Sequence, residues 1–236
     1  MTQKIHFISY GDNKYDKAKQ RITQEAIDSE WFDSIKIYEF NDLTNQFKEN
    51  YEEILKMNRG GGYWIWKYDI IKQSLDNIND NDILVYCDAG CVINKDDNGR
   101  FKEYIEMLNK SNYGIISFQM HHIEKKWTTK EIFNYFNITI ESNYGNSGQY
   151  VGGILIMKKC KHIYDILDIY KKVLENNMYL FTDKYNKEKQ INVFKENRHD
   201  QSIFSIIRKI YGSIILNDET DKKNIKSPFI AKRRRK

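Results

Sequence analysis

Asp82-Ile-Leu-Val-Tyr-Cys87 is an unbroken apolar run, closed by Asp88-Ala-Gly90. Five apolar residues with no polar alternation suit a strand covered on both faces, and the run has the length of a strand. A central strand needs neighbours. Residues 4–9, 34–40, 114–119 and 152–157 supply further strand candidates, and Cys91 to Ile93 a short one. Helical patterns lie between them: one through Ala26, then 43–57, 63–75, 99–109, 161–176 and 200–210. Strands alternating with helices predict an α/β fold with a mainly parallel central sheet and helices on both faces.

The rest of the composition agrees. The chain has 236 residues, 40% of them hydrophobic and 33 aromatic, which is ample for a packed core. No run approaches the ~18 apolar residues of a membrane helix, and the N-terminal apolar run is too short for a signal peptide. The only proline is Pro228 and no Gly/Ser-rich linker appears. One domain over 1–227 followed by a basic tail over 228–236 is expected. Cys87, Cys91 and Cys160 form neither a disulfide framework nor a zinc spacing. They suit a reducing compartment, so the cytoplasm is expected. Net charge is +5, yet Lys232-Arg-Arg-Arg-Lys236 alone carries that excess. The charge is therefore local, and no nucleic-acid partner is expected.

Three segments carry chemistry. In open α/β sheets ligands sit at the carboxyl ends of strands, where Asp88 follows the 82–87 run. A carboxylate there either makes a turn or holds a divalent cation against a diphosphate, since hard cations take oxygen ligands. Ala89 and Gly90 are small enough to let a ligand reach the backbone. Arg59-Gly-Gly-Gly-Tyr-Trp-Ile-Trp-Lys67 reads as glycines opening a helix, whose N–H groups suit phosphate, or as a flexible loop before an aromatic core helix. Arg198-His-Asp-Gln201 opens an apolar helix, with Asp200 either capping it or facing a ligand. Two lesser segments are Glu124 to Lys130, in which Thr128 reads as a helix N-cap with Glu131 third, and Gln149-Tyr-Val-Gly-Gly153. The carboxylate of Glu124 and the flat ring of Trp127 suit a sugar.

In order, Ser9-Tyr-Gly-Asp12, Arg59 to Lys67, Asp82 to Cys91, Trp127-Thr-Thr-Lys130, Gln149 to Gly153 and Arg198 to Gln201 resemble small GT-A glycosyltransferases of bacterial surface-polysaccharide clusters and large DNA viruses. The resemblance covers nearly the whole chain and implies a single-domain GT-A (Rossmann-like) fold. It implies a donor site for a nucleotide-diphosphate sugar, expected to be a UDP-sugar, bordered by Ser9, Tyr10, Arg59, Lys67, Asp88, Ala89, Gln149 and Gly152. It implies an acceptor site for a glycan or glycoconjugate hydroxyl, with Glu124 and Trp127 placed there. Asp88 matches the first Asp of the Asp-x-Asp motif and Asp200 the acidic residue beside the reacting carbon, so these two are the expected catalytic residues. The second Asp is replaced by Gly90. A divalent cation, Mn²⁺ or Mg²⁺, is therefore expected on Asp88 with His199 or with waters and phosphate. Retention or inversion is left open.

The tail is expected either to fold back, with Arg233, Arg234 or Arg235 shielding the donor diphosphate and Arg234 taken as the site residue, or to steer an anionic acceptor or membrane surface. The competing functions are a non-catalytic anion-binding or nucleic-acid-binding α/β protein that uses this tail and another nucleotide-dependent transferase.

Overall fold

The computed structural model describes residues 2–221 and 226–234. Its strands are β1 (Ile5–Tyr10), β2 (Ser34–Tyr38), β3 (Ile83–Cys87), β4 (Val92–Ile93), β5 (Ile115–Ile123), β6 (Gly148–Tyr150), β7 (Ile154–Lys158), β8 (Ile214–Asn217) and β9 (Phe229–Ile230). The longer helices are α1 (Asp16–Ser29), α2 (Trp66–Asp76), α3 (Asn98–Lys110), α4 (Lys161–Asn177) and α5 (Asp200–Tyr211). The region expected as one helix over 43–57 is broken into Asn45–Asn50 and Glu52–Leu55.

The main sheet has the order β2–β1–β3–β7–β5–β6, with β8 beside β5. β1, β2, β3, β5 and β8 share one direction, while β7 is antiparallel to β3 and β5, and β6 to β5. The sheet is thus mainly parallel with β7 inserted against the grain. This reversal matters for function, because the start of β7 lies at the same end of the sheet as the finish of β3.

β3 is buried along its whole length, as its unbroken apolar run requires. Its alternate residues feed two cores. Leu84 and Tyr86 join Ile8, Leu155, Ile70 of α2, Ile166 of α4 and Ile206 of α5. Ile83, Val85 and Cys87 join Phe7, Ile156, Ile22 of α1 and Phe101 of α3. Helices therefore cover both faces. Cys87, Cys91 and Cys160 are free thiols, and burial pushes the Cys87 and Cys91 thiols up, which suits packing rather than nucleophilic use.

The apolar start of the tail is part of the body. β9 pairs antiparallel with β4 through Val92–Ile230 and Ile93–Phe229. Phe229 is buried against Trp31 and Phe101. No helix among the described residues is long and apolar enough to cross a membrane.

Candidate active site

Asp88 leaves the end of β3 and is held by the start of β7. Its N–H donates to the carbonyl of Gly153 at 2.8 Å. A Cβ on residue 153 would stand 2.7 Å from Asp88 Oδ2, so a side chain there would push this carboxylate aside. Tyr86, two residues back and on the same face of β3, donates its hydroxyl to Asp88 Oδ1 at 2.5 Å. Burial first, and then the Asp88 charge, drive that hydroxyl's pKa well up, so it stays a proton donor.

Lys67 and Asp200 meet below Asp88. Lys67 lies in the first turn of α2, and its Nζ donates to Asp200 Oδ2 at 2.7 Å and to the Gly152 carbonyl at 3.0 Å. It is also 3.6 Å from Asp88 Oδ1. Both Lys67 and Asp200 are buried. Burial pushes the Asp200 pKa up to about 6, against the pull of Lys67. Burial opposes the charge on Lys67 too, but the two carboxylates facing it prevail and raise its pKa. Near neutral pH the pair is therefore ionised. The capping reading of Asp200 is set aside. It is the first residue of α5, after His199, and the helix end has no side-chain cap.

Gln201 organises the other side. Its Oε1 accepts from the Gly152 N–H at 3.0 Å and its Nε2 donates to Gln149 Oε1 at 2.6 Å. Gln149 itself is 1% exposed and donates to Glu124 Oε1. Glu124 is fully buried, accepting from Thr128, Ser205 and Gln149 and paired with Lys209 at 3.0 Å. The polar groups of Glu124 and Gln149 are thus spent inside the protein, in a buried network that fixes α5 against β6. Thr128 is spent on Glu124, and the N-cap of the helix Lys130–Tyr135 is Thr129. Trp127 packs under the Arg198 guanidinium, 4.1 Å from its ring, and does not line the cleft described below. Ser9 is likewise removed from the ligand surface, its hydroxyl donating to the Cys87 carbonyl inside the sheet.

The glycine segment differs most from expectation. Gly60, Gly61, Gly62, Tyr63 and Trp64 all have positive φ, between 54° and 93°. They form a left-handed turn before α2 rather than its first turn. Four of its amides are consumed internally: Gly61 N–H donates to Asn58 O, Gly62 N–H to Met57 O, Tyr63 N–H to Arg59 O and Trp64 N–H to Gly60 O. They are not a phosphate cradle. Two non-glycine residues in the left-handed region are a local strain of the kind found at functional sites. The turn delivers Trp64 over His199, with ring centroids 5.6 Å apart, and leaves the Gly60 carbonyl for the Trp66 indole N–H at 2.9 Å. Trp66 stacks on Tyr10 at 3.7 Å.

These groups converge on a cleft of about 710 Å³. Tyr10, Arg59, Lys67, Asp88, Ala89, Gly152, His199 and Asp200, all named from the sequence, line it. Trp64, Trp66 and Arg233, one of the three tail arginines considered for the diphosphate, line it too, and so do Arg198, Gln201 and Lys232, which were not assigned from the sequence. Arg198 and Gln201 stood in a quoted motif, and their neighbours' roles were the available signal. Arg234 does not line the cleft; its backbone N–H donates to Gly90 O at 3.1 Å. Arg235 lies outside the described residues.

A divalent cation on Asp88 and His199 would need free donors on both. His199 Nδ1 is engaged with the Phe181 carbonyl at 3.0 Å, and the carboxylate nearest its Nε2 is Asp183 at 3.8 Å. Burial lowers its pKa to about 4, so the ring is neutral. Asp88 and Asp200 already share the Lys67 ammonium. Among the described residues no three His, Cys, Asp or Glu side chains gather as a cation cage. The residues present do not fit a protein-held divalent cation on Asp88 and His199.

No family model matches the sequence, and no curated protein matches it. Solved structures do resemble the fold. One is a glycosyltransferase involved in the glycosylation of the major capsid of the virus PBCV-1, at 13% identity and a TM-score of 0.50, covering 96% of this chain and 92% of that one. Another is mouse xyloside xylosyltransferase 1 in its apo form, at 9% identity and a TM-score of 0.50, covering 91% and 84%. The chain has the GT-A-like fold of these glycosyltransferases.

Proposed function

We propose that the chain is a glycosyltransferase that moves a sugar from a nucleotide-diphosphate sugar, with a UDP-sugar as the first candidate, to a hydroxyl of a glycan or glycoconjugate. The observation that carries this reading is the Asp88–Lys67–Asp200 cluster at the base of a polar, aromatic-walled cleft at the carboxyl ends of β1 and β3.

Charge explains the arrangement. Breaking the sugar C1–O bond builds positive charge on the sugar ring and negative charge on the departing diphosphate. Asp200 is a buried carboxylate whose pKa near 6 leaves it ionised at neutral pH and still basic enough to accept a proton. It serves either to stabilise the cationic ring or to deprotonate the acceptor hydroxyl. Lys67 holds Asp200 and the Gly152 carbonyl in one geometry, so it positions the carboxylate. Asp88, steadied by Tyr86, faces the same volume. The flat surfaces of Tyr10, Trp64 and Trp66 suit a base or a sugar.

The test is release of nucleoside diphosphate from a panel of nucleotide sugars, with and without saccharide acceptors. At least one donor is expected to turn over, and Asp200→Asn to slow it at least ~100-fold. A well-folded protein that releases no diphosphate from any nucleotide sugar, with any acceptor class, would contradict the reading.

A further inference from the structure

Gly90 occupies the place where a second carboxylate was expected, and the structure gives it another reason to be small. A Cβ at residue 90 would stand 3.0 Å from Lys232 O, 3.3 Å from Arg233 Cα and 3.4 Å from Arg234 N. The tail backbone thus lies directly over Gly90, pinned by the Arg234 N–H to Gly90 O bond and by β9 on β4. The seat brings Lys232 and Arg233 to the cleft wall.

The cations already there are unbalanced. Lys67 is matched by Asp88 and Asp200. Among the remaining described lining residues, five cations face two carboxylates, Asp12 and Glu196. Asp12 Oδ1 accepts from the Lys14 N–H. Glu196 stands between Arg198, at 3.2 Å, and Arg59, at 4.0 Å, while Arg59 also meets Asp183 at 2.9 Å. Lys232 and Arg233 have no ion-pair partner among the described residues. The Arg198 guanidinium is pushed down first by burial, against the pull of Glu196, and then by the neighbouring charges of Arg233 and Arg59. Like charges crowded around a cleft are a site for an anion of more than one charge.

We propose that Arg233 and Lys232, seated over Gly90, form with Arg198 and Arg59 a pyrophosphate subsite that holds the donor diphosphate without a divalent cation. This rests on the reading of the cleft as a nucleotide-diphosphate-sugar site. It deepens that reading by giving the tail the charge-neutralising task and by making Gly90 the residue that admits it. A guanidinium suits the task, because it grips phosphate oxygens in pairs while a lysine acts as a point charge.

The experiment is calorimetric titration of the full chain with inorganic pyrophosphate, UDP and uridine, each in EDTA and in Mn²⁺. Wild type is expected to bind pyrophosphate and UDP in EDTA, with Mn²⁺ changing either Kd less than about threefold. Arg233→Ala should weaken both by about 10- to 100-fold, the usual worth of a charged hydrogen bond, and leave uridine binding unchanged. Arg233→Lys should recover part of the loss. Gly90→Asp should weaken pyrophosphate binding by displacing the tail. Binding of pyrophosphate that requires Mn²⁺, or equal affinity in Arg233→Ala, would overturn the proposal while leaving a nucleotide-sugar site standing. Pyrophosphate binding with no affinity for UDP would uphold the subsite and overturn the nucleotide reading instead. No pyrophosphate binding in either condition overturns the subsite outright.

Discussion

Asp200 and Asp88 are both carboxylates, yet their surroundings set them apart. Asp200 is buried beside Lys67, whereas Asp88 is partly open to the cleft and receives the Tyr86 hydroxyl. Under the proposed function, Asp88→Ala should lower transfer at least ~100-fold while the protein still melts cooperatively. The pH profile of kcat/KM should rise through an apparent pKa near 6 as Asp200 ionises. Stability moves the other way. The folded state keeps a proton on Asp200 between its ordinary pKa of 3.8 and about 6. The group's contribution therefore falls as pH rises across that window, and denaturant unfolding of Asp200→Asn should lack this part of the slope. Lys67→Met strands a buried carboxylate, and urea unfolding should show a loss of about 3–5 kcal/mol. Adding Asp200→Asn should return part of it, because the stranded charge is gone. Losses that simply add would mean that the two groups do not interact. Asp88, Asp200, Lys67 and Arg59 were legible in the sequence because each stood at a strand end, a helix start or beside glycines. Ser9, Glu124 and Gln149 were misread for one reason: a polar residue satisfying a buried network looks the same in a sequence as one facing a ligand.

At the scale of elements, the alternation of strands and helices was legible, since apolar runs and helical spacings reflect burial directly. The direction of β7 was not, because an apolar run carries no mark of its orientation. The Gly60–Trp64 turn was misread because three glycines permit both a right-handed helix start and a left-handed turn. Neighbouring glycines here should respond differently. Gly62→Ala meets positive φ and the Leu55 backbone, with Cβ 2.8 Å from Leu55 Cα, whereas at Gly61 the nearest atom is Trp66 Nε1 at 3.7 Å. Gly61→Ala should cost about 1 kcal/mol for φ alone, and Gly62→Ala clearly more, read by urea unfolding. Equal costs would show that the turn is not held as described. Thr129→Ala should cost about 1 kcal/mol for the lost cap.

Across the whole molecule, one reversal of strand direction joins the two halves of the site. β3 ends in Asp88 where β7 begins after Gly152 and Gly153, α2 and α5 bring Lys67 and Asp200 to that junction, and the tail closes over Gly90. That closure joins residues about 140 positions apart in the chain, so the basic run at 232–236 could be read as charge but not as a wall. The central claim is that this junction binds a nucleotide-diphosphate sugar. Its most direct test is thermal denaturation with a panel of nucleotide sugars, for wild type and Asp88→Ala side by side. At 100 times its Kd a donor should stabilise wild type by about 2.7 kcal/mol, with a smaller shift in Asp88→Ala. A folded wild-type protein whose melting temperature no nucleotide sugar raises, or a shift of equal size in Asp88→Ala, would contradict it.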